Sequence, residues 1–208
     1  MNIFNKEVSK NKAFIFLGRS GCGKGTQVNL LIEHLVKSGD EGNKTLHIES
    51  GTLLREFSKG TTYTQTKTKT CIENGILAPE AVIVSLWMKY LDANFTGVEN
   101  LVFDGAPRKL NEAKLLNDTL RFIDIKKPVV ICVNVSRDWS EKRLLGRARK
   151  DDTRESIDRR LAWYETDVVP VINYYKENSD YYNFIDVNGE QPIDDVQNEI
   201  VSKLGLNL

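Results

Sequence analysis

The chain has 208 residues, 40% of them hydrophobic, with 29 lysines and arginines against 29 acids and a formal net charge of zero. That length suits one domain with a sizeable core and, at most, a small inserted lobe. Balanced charge excludes the whole-surface basic field that nucleic-acid binding needs, so an anion site has to be built by local clustering.

No run of about 18 apolar residues occurs, and the opening MNIFNKEVSKNK lacks the apolar core of a signal peptide. A cytoplasmic protein with neither a nucleic-acid nor a membrane partner is expected. Cys22, Cys71 and Cys132 are odd in number and far apart, with no CxxC pair. They are expected to be free thiols in a reducing compartment, and no structural zinc is expected.

The first predicted strand, AFIFLG at 13–18, runs into GRSGCGKGTQ at 18–27. Gly18, four residues, Gly23 and Lys24 fit the GxxxxGK pattern of a phosphate-binding loop. The usual hydroxyl directly after the lysine is replaced by Gly25 and arrives one residue later, at Thr26. Glycines let such a loop fold tightly enough for several N–H groups to point inward, and the following helix adds its positive end. Lys24 then reaches the β- and γ-phosphates as a point charge. Cys22 is expected to fill space inside the loop. The next stretch, TQVNLLIEHLVKSG, spaces Val28, Leu31, Ile32 and Leu35 as an amphipathic helix that stops at Gly39.

TLHIES at 45–50 is the second predicted strand, followed by Arg55 in SGTLLREF. The polar KGTTYTQTKTKT has apolar flanks and reads as part of a small helical lobe. PEAVIVSLWMKYLD is helical, and NLVFDG at 100–105 is the third strand. Asp104 ends it, where a carboxylate would hold Mg²⁺ through water, or alternatively cap a turn. Arg108 follows in FDGAPR. The fourth strand, PVVICVNV at 128–135, runs into SRD and lacks the NKxD that reads guanine in GTPases.

DWSEKRLLGR is helical and puts Arg143 and Arg147 on one face. TRESIDRRLAWYETDVVPVINYYKEN predicts a long helix kinked at Pro170. NFIDVNG at 183–189 is the fifth strand, and PIDDVQNEIVSKLG a closing helix with proline in its first turn and glycine at its end. Short apolar strands separated by helices predict an α/β fold, a parallel sheet of the P-loop NTPase type covered on both faces.

From Arg143 to Arg160 lie Arg143, Arg147, Arg149, Lys150, Arg154, Arg159 and Arg160, mixed with Asp151, Asp152, Glu155 and Asp158. Arg154 and Arg159 read as a solvated helix face. The others, with Arg55 and Arg108, fall where two helices and two strand ends can aim them into one cleft. Moving a phosphoryl group between two anions requires positive charge already in place, and arginine's planar fork supplies it bidentately. Such a set suits a phosphate acceptor better than water. His34 reads as a helix-surface residue and His47 as a strand residue, neither a general base. Tyr174, Tyr175, Tyr181 and Tyr182 read as packing.

Five stretches in order resemble the adenylate kinase family of nucleoside monophosphate kinases. GRSGCGKGTQ is similar to its phosphate loop, SGTLLR to the start of its monophosphate site, GILAPE to its hinge-side segment, FDGAPR to its DGxPR motif and RLLGRARKDD to its arginine-rich lid base. VNGEQPIDDV is similar to its adenine-contacting loop. The resemblance implies one kinase domain over 1–208, with a monophosphate-binding lobe at about 50–80 and a short lid at about 147–152. It implies ATP held by Gly21, Cys22, Gly23, Lys24, Gly25 and Thr26, with Arg143 and Gln191 at the donor adenine. Ser50, Arg55, Ile76, Leu77, Ala78, Gly105, Ala106, Pro107, Arg108, Glu112, Arg149 and Arg160 would hold the acceptor. Lys24, Arg108, Arg147, Arg149 and Arg160 would neutralise the transition state, with Mg²⁺ near Asp104 and Asp151 and Asp152 organising the lid arginines. The expected reaction is ATP plus AMP to two ADP, by a monomer whose partners are nucleotides alone.

Three departures from the family pattern stand out. A single residue, Ala148, separates Arg147 from Arg149, so the lid is a minimal turn. Ala106 replaces the usual bulky aromatic of DGxPR. Glu112 stands where the family presents glutamine to the acceptor adenine; ionised glutamate only accepts hydrogen bonds, whereas glutamine also donates. Kinases for CMP, UMP, GMP or a non-nucleotide acceptor, and a non-catalytic nucleotide-binding module, remain the alternatives.

Overall fold

The computed structural model describes residues 12–38, 44–147 and 152–206. Gly39, the predicted helix stop, and the lid residues Ala148, Arg149, Lys150 and Asp151 lie outside the described residues.

Five parallel strands form one sheet: β1 (Ala13–Leu17), β2 (Thr45–Glu49), β3 (Asn100–Asp104), β4 (Val129–Asn134) and β5 (Asn183–Asn188), in the order β2-β3-β1-β4-β5. Each lies within a predicted apolar run. β1 and β3 are buried from end to end because both faces are covered. Ile15, Leu17, Leu101, Phe103 and Val130 join the core on one face, and Phe14, Phe16, Val102, Ile131 and Val133 join the core on the other. The period of two therefore carries apolar side chains on both phases, which a half-exposed strand would not.

Helix α1 (Lys24–Ser38) packs with α9 (Ile193–Leu204) on one face. On the other lie α4 (Glu80–Asn94), α5 (Leu110–Phe122) and α8 (Val169–Glu177), with Trp87 of α4 meeting Phe103 edge to face, ring centroids 5.7 Å apart. After α2 (Ser50–Phe57), the polar stretch is helical as expected, forming α3 (Tyr63–Glu73). A capping box explains how so polar a segment starts a helix: Thr62 Oγ1 accepts the Gln65 N–H while Gln65 Oε1 accepts that of Thr62. Helices α6 (Arg137–Gly146) and α7 (Arg154–Trp163) meet beyond β4.

Three predicted boundaries shift. Ser50 belongs to α2 rather than to a strand. The segment 154–177 is not one helix kinked at Pro170: a π-helical turn, Tyr164–Val168, separates α7 from α8. Val169 donates to the Tyr164 carbonyl, five residues back, so the ladder slips by one residue before the proline. Pro170 then falls in the first turn of α8, where its missing N–H costs nothing. The closing helix has Pro192 at its N-cap rather than inside its first turn, while it ends at Gly205 as expected, in a left-handed cap at φ 64°.

The tyrosines pack as predicted. Tyr175 and Tyr182 meet edge to face at 4.6 Å, and the Tyr182 hydroxyl donates to Asn117 Oδ1 at 2.8 Å. Among the described residues, no helix is long and apolar enough to cross a membrane.

β1 lies between β3 and β4, and the chain leaves β1 and β3 toward opposite sides of the sheet. Ligands of open α/β sheets bind beyond the strand ends at such a switch point. Phe16 is in register with Asp104, and Glu49 with Asp104, so the loops after β1, β2 and β3 emerge at one level.

Candidate active site

The loop after β1 turns at once. Gly18, at φ 140°, passes so close to β4 that a Cβ there would run into the Val133 carbonyl. Cys22 is buried in the core against that glycine, so the thiol fills space as expected. Lys24 opens α1, and its ammonium donates to the Gly18 carbonyl at 2.7 Å and the Arg19 carbonyl at 2.9 Å. Both partners are neutral dipoles of the loop itself.

Asp104 ends β3 with its carboxylate between two neighbours. Oδ2 is 3.7 Å from His47 Nε2 on β2, and 3.7 Å from where a Cβ on Gly25 would sit. The Ser50 hydroxyl donates to the Asp104 carbonyl at 3.0 Å, tying the start of α2 to the end of β3. Gly105, at φ 74°, turns the chain, and a Cβ there would stand 2.9 Å from Ser50 Oγ. Ala106 is buried, so its small side chain is accommodated without a gap to solvent.

Arg108 is held by its own loop. Its Nε donates to the Gly105 carbonyl at 2.7 Å, and its guanidinium lies over the Trp163 ring, 5.2 Å from the centroid. Burial pulls that guanidinium below its ordinary value, with Glu112 and Asp104 working the other way. Glu112, in the first turn of α5, accepts the Arg108 backbone N–H at 2.7 Å. Burial raises its carboxyl above the ordinary value, opposed by that N–H and by the guanidinium.

Of the remaining arginines, Arg147, Arg160 and Arg55 are held by carboxylates and Arg143 by a ring. Arg147 forks onto Asp152 with two bonds of 2.9 Å, and Arg160 donates to the same carboxylate at 2.5 Å. Asp152's side chain is 2% exposed. Burial alone would raise its carboxyl, but the two guanidiniums outweigh this and hold it below the usual carboxylate range. Arg55 donates to Glu49 at 3.2 Å and to Thr52 at 2.8 Å. Arg143 lies over the Trp139 ring at 5.6 Å.

These residues surround one open cavity of 990 Å³. Its donor-side wall is Gly21, Gly23, Lys24, Gly25 and Thr26, all predicted from the loop. Ser50, Arg55, Ile76, Leu77, Ala78, Asp104, Gly105, Arg108 and Glu112 line the opposite wall, and Arg143, Arg147 and Arg160 close a third side. Five arginines and one lysine, scattered over 137 positions from Lys24 to Arg160 counted inclusively, thus share one space. Cys22 and Ala106 are buried behind the wall, and Pro107 lines a 20 Å³ void beneath the loop. Gln191 is off the wall, its amide donating to Asn188 and Glu199. Arg149 lies outside the described residues.

The sequence reading missed several residues. His47, Glu49 and Trp163 line the cavity; Trp163 sits three residues after Arg160 on α7, a helical spacing that could have flagged it. Arg19 braces the loop from outside, its guanidinium 4.0 Å over the Tyr164 ring and donating to Glu165. Arg159, expected to be merely solvated, donates to the Asn74 carbonyl at the end of α3 at 2.5 Å, a correction that follows from α7 packing beside that turn. Arg154 is exposed as expected, paired with Glu141 at 2.7 Å.

Comparison with known proteins points to one family. A family profile described as "Adenylate kinase" matches residues 16–180. Adenylate kinase 1 of Nostoc sp. is 35% identical over 191 residues, covering 92% of this chain and 97% of that protein. An adenylate kinase of Prochlorococcus marinus is 33% identical over 93% of this chain and 98% of its own length. One of Oenococcus oeni is 30% identical over 86% and 92%.

Proposed function

The chain belongs to the adenylate kinase family, and we propose that it transfers the γ-phosphoryl group of ATP to AMP within the cavity that Lys24 and the five arginines share. That convergence carries the reading, because a phosphate-binding loop alone serves hydrolases equally well.

The donor's phosphates would lie across the N–H groups of residues 21–26 and the positive end of α1. Lys24 would exchange its two carbonyl partners for β- and γ-phosphate oxygens, gaining a charged partner for two neutral ones. Arg143 and the loop at Gln191 would flank the donor adenine. Arg55 and Arg108 would grip the acceptor phosphate, while Ser50, residues 76–78 and Glu112 would border its nucleoside. Arg147 and Arg160 would approach from α6 and α7 already oriented by Asp152, with Arg149 joining them. A loose phosphoryl transition state needs little beyond alignment and such fixed charge.

Mg²⁺ suits the same wall: Asp104 and Thr26 both line the cavity, a carboxylate and a hydroxyl that match an ion that keeps most of its water. Bound there, the ion would neutralise β- and γ-phosphate oxygens. Residues 50–80 would act as the acceptor lobe and residues 147–152 as a minimal lid. The reading takes the protein as a working monomer, and the free thiols Cys22, Cys71 and Cys132 favour a reducing, cytoplasmic compartment.

A coupled assay with ATP, Mg²⁺ and AMP, CMP, UMP or GMP tests the reading. AMP is expected to turn over fastest; no turnover with any of the four defeats it, and turnover confined to acceptors outside the panel moves the chain to another phosphate acceptor.

A further inference from the structure

Trp163 has no part in the reaction as described, yet it touches both the arginine at the centre of the cavity and the lobe that borders the acceptor. It lies at the C-terminal end of α7, one turn beyond Arg160, so the two side chains share a helix face. Its ring meets the Arg108 guanidinium at 5.2 Å, and it lines both the main cavity and the small void beneath the loop. Its indole N–H donates to the Gly75 carbonyl at 3.2 Å.

Gly75 is the turn between α3 and the segment 76–78. It has φ 64°, and a Cβ there would meet the Ser156 carbonyl at 2.6 Å, so the lobe's backbone lies directly against α7. The neighbouring Asn74 carbonyl accepts Arg159 Nη1. The lobe end is therefore fastened to α7 by two side-chain donors and one close backbone approach.

We infer that Trp163 is a positioning residue for phosphoryl transfer: its ring face holds the Arg108 guanidinium in its working orientation, and its N–H ties that orientation to the docking of the acceptor lobe on α7. A tryptophan serving only as packing would need neither contact. The ring face attracts a guanidinium electrostatically, and among the described residues the other hydrogen-bonding anchor of the Arg108 side chain is the Gly105 carbonyl on Nε. Without the ring, the guanidinium would be free to turn about that single bond. Without the N–H, the lobe's inner segment, residues 76–78, would dock less firmly against the acceptor.

The inference rests on the reading of Arg108 as a phosphate-gripping group, and the test separates the two. Steady-state kinetics with ATP and AMP are compared for Trp163→Phe, Trp163→Leu, Arg108→Ala and the Trp163→Leu/Arg108→Ala double variant. Trp163→Phe keeps an aromatic face and loses the N–H, so the KM for AMP should rise about fivefold with kcat within about twofold. Trp163→Leu loses both, and kcat should also fall about tenfold, the size of a desolvated cation–π contact. In the Arg108→Ala background, where no guanidinium remains to be held, Trp163→Leu should leave the residual kcat unchanged.

An unchanged AMP KM in Trp163→Phe overturns the inference, and this variant decides the matter should Trp163→Leu not fold. So does a tenfold kcat loss that persists without Arg108, since it would mark general damage. Full turnover by Arg108→Ala would instead overturn the reading of Arg108 itself.

Discussion

The two walls of the cavity are built on different principles. The donor wall is one contiguous stretch, residues 18–27, whose cation leans on backbone carbonyls of its own loop. The opposite side is assembled from α2, the turn after β3, α6 and α7, and its guanidiniums are held by the buried Asp152 carboxylate, by Glu49 on β2 and by the rings of Trp139 and Trp163. Changes on the first wall should therefore strike chemistry alone. Changes on the second should strike chemistry and stability together.

The sharpest way to break that contrast is Lys24→Met. Among the described residues its ammonium bonds loop groups alone, so removing it strands no partner charge, while the transferring phosphate loses its nearest cation. We expect kcat to fall by about 10³, a loss of the scale seen when a single phosphate-stabilising donor or arginine is removed, with the melting temperature unchanged. A large drop in thermal stability, read by calorimetry, would place Lys24 among structural groups and dissolve the distinction.

Arg160→Ala tests the other side. Turnover should fall by about 10², and the variant should also lose about 1–3 kcal/mol of stability, because Asp152 keeps its burial and loses one of its two arginines. The same pair gives a pH signature. The Asp152 carboxyl is held low in the folded protein, so its contribution is complete above the ordinary carboxylate value and disappears as pH falls through the lowered one. Asp152→Asn should flatten the acid side of the melting-temperature profile, and a profile as steep as that of the unaltered protein would refute the assignment.

The same contrast explains what was legible in the sequence. The phosphate loop was readable because its chemistry is local: glycines, lysine and helix start occur within ten residues, and no tertiary information is needed. The strands were readable for a similar reason, since apolar runs bounded by loop residues carry their own signal. His47 and Trp163 were not. Each looks like an ordinary strand or helix residue until β2 is laid beside β3, or α7 beside the α3–α4 turn, and neither neighbour is close in sequence. The π-helical turn was equally hidden, because Pro170 announces a break without saying that the ladder slips one turn upstream.

Glu112 offers a smaller effect with the opposite sign to Asp152. Its carboxyl is pushed up by burial, so the stability it contributes is present at acid pH and lost as pH rises through the raised value. Glu112→Gln keeps an oxygen to accept the Arg108 N–H and removes the titrating carboxyl, so the loss of stability on going from acid to neutral pH should become shallower in the melting-temperature profile. The amide can also donate to a base-ring acceptor. The KM for AMP should fall by about three- to tenfold, the value of one satisfied hydrogen bond, relative to that for GMP in the same assay. Equal shifts for both acceptors would show that residue 112 senses the phosphate rather than the base.

The smallest expected effects come from two arginines that look interchangeable on α7. Arg154 is exposed, and its partners Glu141 and Asp158 are acids on α6 and its own helix. Exposed ion pairs of this kind contribute about 0–1 kcal/mol, so Arg154→Ala should leave kcat, both KM values and the melting temperature almost untouched. Arg159 is exposed too, but it reaches across to the Asn74 carbonyl beside the lobe turn that Trp163 also holds. Arg159→Ala should raise the KM for AMP about two- to threefold, the loss of a net hydrogen bond of about 0.5 kcal/mol, and leave the KM for ATP alone. Only the acceptor wall depends on fastening distant segments together, so a variant that loosens one fastening should register with AMP and not with ATP. If both substrates weaken equally, α7 braces the whole cavity rather than the lobe, and the two walls are less independent than their construction suggests.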